Sequence, residues 1–296
     1  MSGKIQLFFF GTGGSIPYSN RKFPCIVIKY SSYMISFDFG EYCQFSILSS
    51  KIKPLSSDIF ILITHLHEDH ISGITTFLHT LSLANYDRRL IIIGPNSFRE
   101  MLFQWLSKRY WMNIGFDVLF LAFEPELKFK RIFSNEYFRI YCYRTKHFTK
   151  SCGYLVEFYK RKFIKERISE VPQQIRGILQ DGFNAFENER IFKYSEFTVE
   201  KTLRIAYTGD TQPLLDLPST DILIHEATYA DEEFSIERGH SDAKRLLDIL
   251  NRLNVSKTFL VHISARYKDI NEFLAKINLP TNVIVPKEGD MFEFDF

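Results

Sequence analysis

Short apolar runs of strand length recur along the whole chain, at residues 5–10, 25–30, 34–37, 59–63, 90–93, 118–123, 138–143, 154–158, 203–207, 222–224, 258–261 and 283–285. Such runs, bounded by polar and turn-forming residues, predict β-strands. Between some of them the apolar positions shift to helical spacing, over 71–84, 97–108, 241–254 and 268–277. Closely spaced strands early, then strands alternating with helices, predict a layered α/β protein. Residues 160–200 break the pattern: their periodicity is weak and their charges fall in blocks. Lys160, Arg161, Lys162, Lys165, Arg167 and Arg176 face only Glu166 and Glu170 in the first half, and the second half is acidic. A long excursion of this kind inside a layered domain is expected to be functional or a solvated helical detour.

Composition narrows the class only a little. The 296 residues suffice for one large domain, and a formal net charge of +2 favours no anionic partner by itself. The 30 phenylalanines are expected to fill the core. No apolar run approaches the roughly 20 residues that span a bilayer. Cys25, Cys43, Cys142 and Cys152 form no Cys-x-x-Cys pair and are too sparse for a disulfide framework, so a reducing cytoplasm is their expected home.

The chemistry concentrates where the fourth apolar run ends. His65-Leu66-His67-Glu68-Asp69-His70 places three imidazoles and two carboxylates within six residues. Beyond a buried strand such a density of polar groups is costly unless a divalent cation satisfies it, and imidazole and carboxylate suit zinc-type ions. The remaining histidines sort by context. His147 follows the run 138–143, His262 ends the run 258–261, and Asp210 stands just after the run 203–207. Groups at several strand ends can converge on one sheet edge. His79 lies within a helical stretch and is expected to be structural.

With these residues the sequence resembles the metallo-β-lactamase superfamily, whose His-x-His-x-Asp-His signature is present in full. Within it the chain is similar to the ribonuclease Z family, which trims the 3′ trailer from precursor tRNA. The matching segments are Phe10-Gly11-Thr12-Gly13-Gly14-Ser15-Ile16-Pro17, Phe37-Asp38-Phe39-Gly40-Glu41, Tyr207-Thr208-Gly209-Asp210-Thr211, His225-Glu226-Ala227-Thr228, Gly239-His240-Ser241 and Val261-His262-Ile263-Ser264-Ala265-Arg266-Tyr267. They run in family order over nearly the whole chain.

The resemblance implies a four-layer αβ/βα sandwich spanning 1–296 as a single domain, with 160–200 as a protruding arm that serves as a tRNA-binding exosite. It places one metal ion on His65, His67 and His147, a second on Asp69, His70 and His262, and Asp210 between them. Two divalent ions, zinc first among them, are therefore expected. It also implies that Asp69 helps to activate water and that His240, beside Glu226, protonates the leaving oxygen. Asp38 is expected to support the histidine loop. Arg21, Lys160, Arg161, Lys162 and Lys165 are the expected substrate contacts, precursor tRNA the partner, a homodimer the assembly and the cytoplasm the location.

The chain departs from the family in three places. Only Pro17 and Arg21 match the N-terminal loop linked to sensing the CCA end, a Gly-Pro arm tip is replaced around Gln173-Gln174, and Glu68 stands where the family often has glycine. Two other functions fit parts of the pattern: hydrolysis of small phosphodiesters or other esters, which needs no basic arm, and non-catalytic RNA binding, which needs no complete ligand set.

Overall fold

A computed structural model describes residues 3–18, 21–107, 114–125, 129–214, 216–231 and 235–296. In chain order the strands are β1 (Ile5–Gly11), β2 (Cys25–Tyr30), β3 (Tyr33–Phe37), β4 (Asp58–Leu62), β5 (Leu90–Pro95), β6 (Val118–Phe123), β7 (Phe129–Ser134) and β8 (Phe138–Arg144). They continue with β9 (Cys152–Phe163), β10 (Ala185–Glu187), β11 (Arg190–Phe192), β12 (Thr198–Tyr207), β13 (Ile222–Glu226), β14 (Lys257–Val261), β15 (Val283–Ile284) and β16 (Met291–Phe294). The helices are α1 (Cys43–Leu48), α2 (Glu68–Ile71), α3 (Ile74–Leu83), α4 (Asn96–Ser107), α5 (Arg176–Gln180), α6 (Tyr194–Phe197), α7 (Ala243–Leu250) and α8 (Ile270–Leu274).

Two seven-stranded sheets carry the fold, ordered β16-β1-β2-β3-β4-β5-β6 and β15-β14-β13-β12-β9-β8-β7. Their inner faces share one core, in which Phe9, Phe37 and Phe60 of the first sheet meet Phe138, Tyr207 and Phe259 of the second. Residues of the opposite parity on the first sheet, such as Val27, Ile59, Ile61 and Ile92, pack against Ile47 of α1, Phe77 and Leu81 of α3 and Phe98 of α4. Leu246 of α7 and Phe273 of α8 cover the second sheet around Leu260. This is an αβ/βα sandwich of four layers. Strand β4, five buried residues lying parallel between β3 and β5, shows why the central strands read as unbroken apolar runs: both faces are covered.

The twelve expected strands all form, with ends shifted by a residue or a few. Four others, β7, β10, β11 and β16, were not legible, because their mixed polar composition reflects edge or excursion positions. The expected helix over 71–84 forms as α3, with Ile71 closing the preceding short helix α2. Lys108, in the expected helix 97–108, lies outside the described residues.

Cysteine pairing is a correction. Cys25 and Cys43, separated by 18 residues, are joined as a disulfide with their Cα atoms 5.7 Å apart, and Cys142 and Cys152 are buried free thiols. The turn that brings β2 and α1 together, held by Gly40 N–H donating to Pro24 O, has no signature in cysteine spacing. No helix among the described residues is long and apolar enough to cross a membrane.

The excursion 160–200 resolves into two parts. Its ends belong to the long antiparallel ladder of β9 and β12, which runs from Tyr154 opposite Tyr207 to Phe163 opposite Thr198. Between the two strands, residues 164–197 fold into a lobe with its own small core of Val171, Ile175, Leu179, Ala185, Phe192 and Phe197. Nine residue steps separate the two ends of the ladder, so the lobe stands about 30 Å from the Tyr207 end.

Candidate metal and phosphodiester site

Five chain segments leave the sheets at one edge. They follow β4, β8, β12, β13 and β14, and carry His65–His70, His147, Asp210, Glu226–Thr228 and His262 respectively. Strands β12, β13 and β14 are parallel, and β8 points the same way because β9 lies antiparallel to both β8 and β12. Carboxyl ends of parallel strands thus converge, the usual place for a site in an open α/β sheet.

The donor atoms fall into two adjoining groups, and Asp210, His240 and His262 form a third that overlaps them. His65, His67, His147 and Asp210 bring ligand atoms within 4.8 Å of one another, as do Asp69, His70 and His262. In the first group His67 Nδ1 lies 2.9 Å from His65 Nε2 and 3.4 Å from His147 Nε2. In the second, His70 Nε2 is 3.5 Å from Asp69 Oδ2 and 3.4 Å from Asp210 Oδ1, and His262 Nε2 is 3.5 and 3.3 Å from the same two oxygens. Ligand atoms around one tetrahedral zinc stand about 3.3 Å apart, so the spacing fits. The four atoms Asp69 Oδ2, His70 Nε2, Asp210 Oδ1 and His262 Nε2 are also buried without a hydrogen-bond partner. Buried polar atoms that face one another unpaired are the mark of a cation cradle.

Hydrogen bonds behind the donors fix which nitrogen is free. Asp38, fully buried and at φ 53°, accepts from the Thr64 hydroxyl, from His70 Nδ1 at 2.7 Å and from the Tyr207 hydroxyl at 2.9 Å. Since the Thr64 hydroxyl donates to that carboxylate, its oxygen accepts from His65 Nδ1 at 3.0 Å. The same logic applies on the other sheet. Thr228 donates to Glu226 Oε2 at 2.7 Å and accepts from His262 Nδ1 at 2.9 Å. His147 Nδ1 donates to Gly239 O at 2.9 Å. Each of these four imidazoles therefore turns a lone pair on Nε2 toward the cluster. His262 itself sits at φ 60°, a conformation that costs energy for a non-glycine residue and recurs at functional sites. Gly14 lets the first-strand loop approach it: a Cβ there would lie 3.1 Å from His262 Cε1.

Charge in the cluster is arranged for a cation. Burial pushes the His65 imidazole well below its usual pKa, which keeps it neutral. Burial opposes ionisation of Asp69 and Asp210, yet the surrounding histidines outweigh it and hold both carboxyls well below the usual range. His70 goes the other way: burial lowers it, but Asp210, Asp38 and Asp69 together raise it well above. Three carboxylates around one imidazole demand positive charge at their focus, as a proton or as a metal ion.

His240 and Glu226 form a separate pair beside the cluster. His240 Nδ1 is 3.0 Å from Glu226 Oε1, and the carboxylate also accepts from Thr211 N, Thr228 N and the Thr228 hydroxyl. Burial lowers the His240 pKa, but the hydrogen bond and charge of Glu226 prevail and raise it to about 9.

The structure thus gathers all seven expected ligand residues, together with His240 and Glu226, at one edge. His79 is exposed on α3, away from this edge. The expected substrate contacts are scattered. Arg21 is half-buried and donates to the Tyr267 carbonyl, which ties the first-strand loop to the His262 segment. Lys160 lies over the Phe296 ring, and Arg161 is engaged by Glu200 and the Asp181 carbonyl. Only Lys162 and Lys165 of this set are fully exposed. Sequence reasoning missed Thr64, Thr228 and Tyr207 as partners of the site; Thr228 and Tyr207 lie inside motifs it did single out.

Two facing sheets with this histidine–aspartate cluster at their shared edge define a metallo-β-lactamase fold. Solved structures agree: human tRNase Z, short form, superposes with a TM-score of 0.68 at 21% identity, covering 97% of this chain and 98% of that one. The metallo-β-lactamase fold protein YhfI from Bacillus subtilis gives 0.66 at 17%, covering 98% and 100%. The chain belongs to the family described as Anti-Pycsar protein Apyc1, whose model matches residues 5–280. Among curated relatives, Ribonuclease Z of Metallosphaera sedula is 28% identical over 281 residues, covering 91% of this chain and 92% of the relative.

Proposed function

We propose that the chain is a metal-dependent phosphodiesterase that removes the 3′ trailer from precursor tRNA by endonucleolytic cleavage. The observation that carries this reading is the pairing of two complete donor groups with an adjacent Glu226–His240 acid. The ribonuclease Z relatives supply the substrate. His65, His67 and His147 would hold one ion and Asp69, His70 and His262 the other, with Asp210 next to both groups. Two divalent ions bound there, zinc by the donor set, would supply Lewis acidity toward water and phosphate.

The chain's own residues supply the rest. Asp69, already low in pKa, is a poor proton acceptor and orients the attacking water by accepting its hydrogen bond. His240 has Nδ1 committed to Glu226, so the proton for the leaving oxygen is the one on Nε2. Glu226 is 1% exposed, and its four donors hold it ionised beside the imidazole. The lobe at 164–197, set about 30 Å from the Tyr207 end of the ladder, suits the body of a macromolecular substrate, with Lys165 on the lobe and Lys162 at the end of β9 exposed toward its phosphates. A homodimer in which the lobe of one copy serves the site of the other is the assembly this spacing favours.

A second reading is hydrolysis of small phosphodiesters. It is favoured by the state of the excursion, where Arg161, Arg167 and Arg176 are already occupied by Glu200, Glu170 and backbone carbonyls. Incubation of purified protein with precursor tRNA, with and without a chelator, separates the two. Chelator-sensitive cleavage just after the discriminator nucleotide is expected. Untouched tRNA with rapid turnover of small diesters would select the second reading.

A further inference from the structure

Phe148 follows the donor residue His147 and is 70% exposed. Its ring centroid lies 6.0 Å from that of the His147 imidazole. The inner edge of the ring is seated against Gly239, at φ +69°, where a Cβ would come within 3.2 Å of both Phe148 Cδ2 and His147 Nδ1. One side of the aromatic is therefore fixed between a ligand residue and the turn that presents His240, while the remainder faces water. Lys146 and Lys150, on either side in sequence, are exposed, and the Lys150 ammonium reaches Glu124 at 3.4 Å. Gly14, which packs against His262, leads into the exposed segment Ser15–Tyr18.

A single exposed phenylalanine is ordinary on a protein surface. This one stands at the mouth of a phosphodiester site, and a nucleobase is tethered to its phosphate through one ribose. A phosphate held between the two donor groups thus brings its neighbouring base to the rim. A flat π-surface flanked by ammonium groups matches an unpaired base followed by its backbone phosphate.

We propose that Phe148 is the platform on which the unpaired nucleobase next to the scissile phosphate stacks. The inference rests on the phosphodiesterase reading above and adds the binding of a base to it. Stacking accepts any base, so Phe148 confers a requirement for a base and no preference among the four. It acts in binding and positioning, and takes no part in proton transfer.

The test combines protein and substrate changes. Precursor tRNAs carry an abasic ribose at one or the other nucleotide flanking the cut, and each is cleaved by the wild type, Phe148→Ala and Phe148→Trp. In the wild type one abasic position is expected to lower kcat/KM by about 10- to 100-fold. Phe148→Ala should lose a similar factor on the intact substrate, lose nothing further on the abasic one, and keep its metal content. Phe148→Trp should recover most of the loss. Independent, multiplying effects, or full activity of Phe148→Ala on intact substrate, overturn the proposal. If the wild type leaves precursor tRNA uncut, the tRNA reading fails by itself. The same comparison then runs on dinucleoside monophosphates against a base-free ribose diester, where Phe148→Ala should abolish the preference for the base-bearing compound and an unchanged preference overturns the proposal.

Discussion

The strand-end site and the 164–197 lobe stand at opposite ends of the same β9–β12 ladder and are built by opposite means. At the site end, side chains from both sheets are buried, charged and cross-bonded, with Asp38 accepting from Thr64, His70 and Tyr207 at once. At the lobe end, a handful of apolar residues form a small core, and Phe183, Phe186 and Ile191 remain exposed. A network of buried polar groups tolerates few arrangements, because each unpaired member costs about 1–3 kcal/mol or more if charged. A small apolar core tolerates many. On the proposed function, the chemistry sits at the densely cross-bonded end and the lobe end meets the body of the substrate.

The largest effect that sharpens this contrast is expected at His240. His240→Ala should cut turnover by about 10²- to 10⁴-fold while leaving metal content intact, because His240 Nδ1 is committed to Glu226 and none of the seven expected donors is removed. Elemental analysis alongside single-turnover kinetics checks both halves; loss of metal together with activity would return His240 to the donor set. At the other end, Lys162→Glu with Lys165→Glu should raise KM for precursor tRNA about tenfold and shallow its salt dependence, with a small diester hydrolysed as before. An equal loss on both substrates would mean that the two ends are not separable.

The smallest effect concerns the loop that braces the site. Burial pushes the Glu288 carboxyl from 4.5 up to about 7, although it accepts hydrogen bonds from Thr12 and Lys22. The folded state then keeps a proton that the unfolded chain releases between about 4.5 and 7, so stability falls as pH rises through that window and the penalty is complete above it. Glu288→Gln keeps an acceptor for both amides and should raise the melting temperature at pH 8 more than at pH 4, with a ceiling of about 3 kcal/mol. Equal shifts at both pH values would contradict the buried-carboxyl account.

Much of the site was legible in the primary structure because metal-type donors are rare and sit at strand ends. Six of the seven donors lie in the short run from His65 to His70 or just after a strand-length apolar run, as with Asp210 and His262. The lobe was legible only as an irregularity. Its blocks of charge read as a basic surface, whereas Arg161, Arg167 and Arg176 are consumed by neighbours that only folding supplies. Arg21 shows the same limit. Its position in a substrate-sensing loop suggested a solvent-facing cation, yet it reaches inward to the Tyr267 carbonyl, 246 residues away. The Cys25–Cys43 disulfide escaped notice for an equally non-local reason.

By itself, the order of apolar runs determined a layered α/β chain, and the identity of the polar residues at their ends determined the donor chemistry. Both are local properties: periodicity selects strand or helix, and an imidazole or carboxylate carries its ligand character anywhere. Tertiary structure alone decided which nitrogen each histidine turns inward, since that depends on Thr64, Thr228 and the Gly239 carbonyl arriving from elsewhere in the chain. It alone decided that the cations of the excursion are largely paired and that Phe148 stands exposed beside His147. Hydrogen-bond partnership and exposure are properties of a neighbourhood, and the neighbourhood exists only once both sheets have closed on each other.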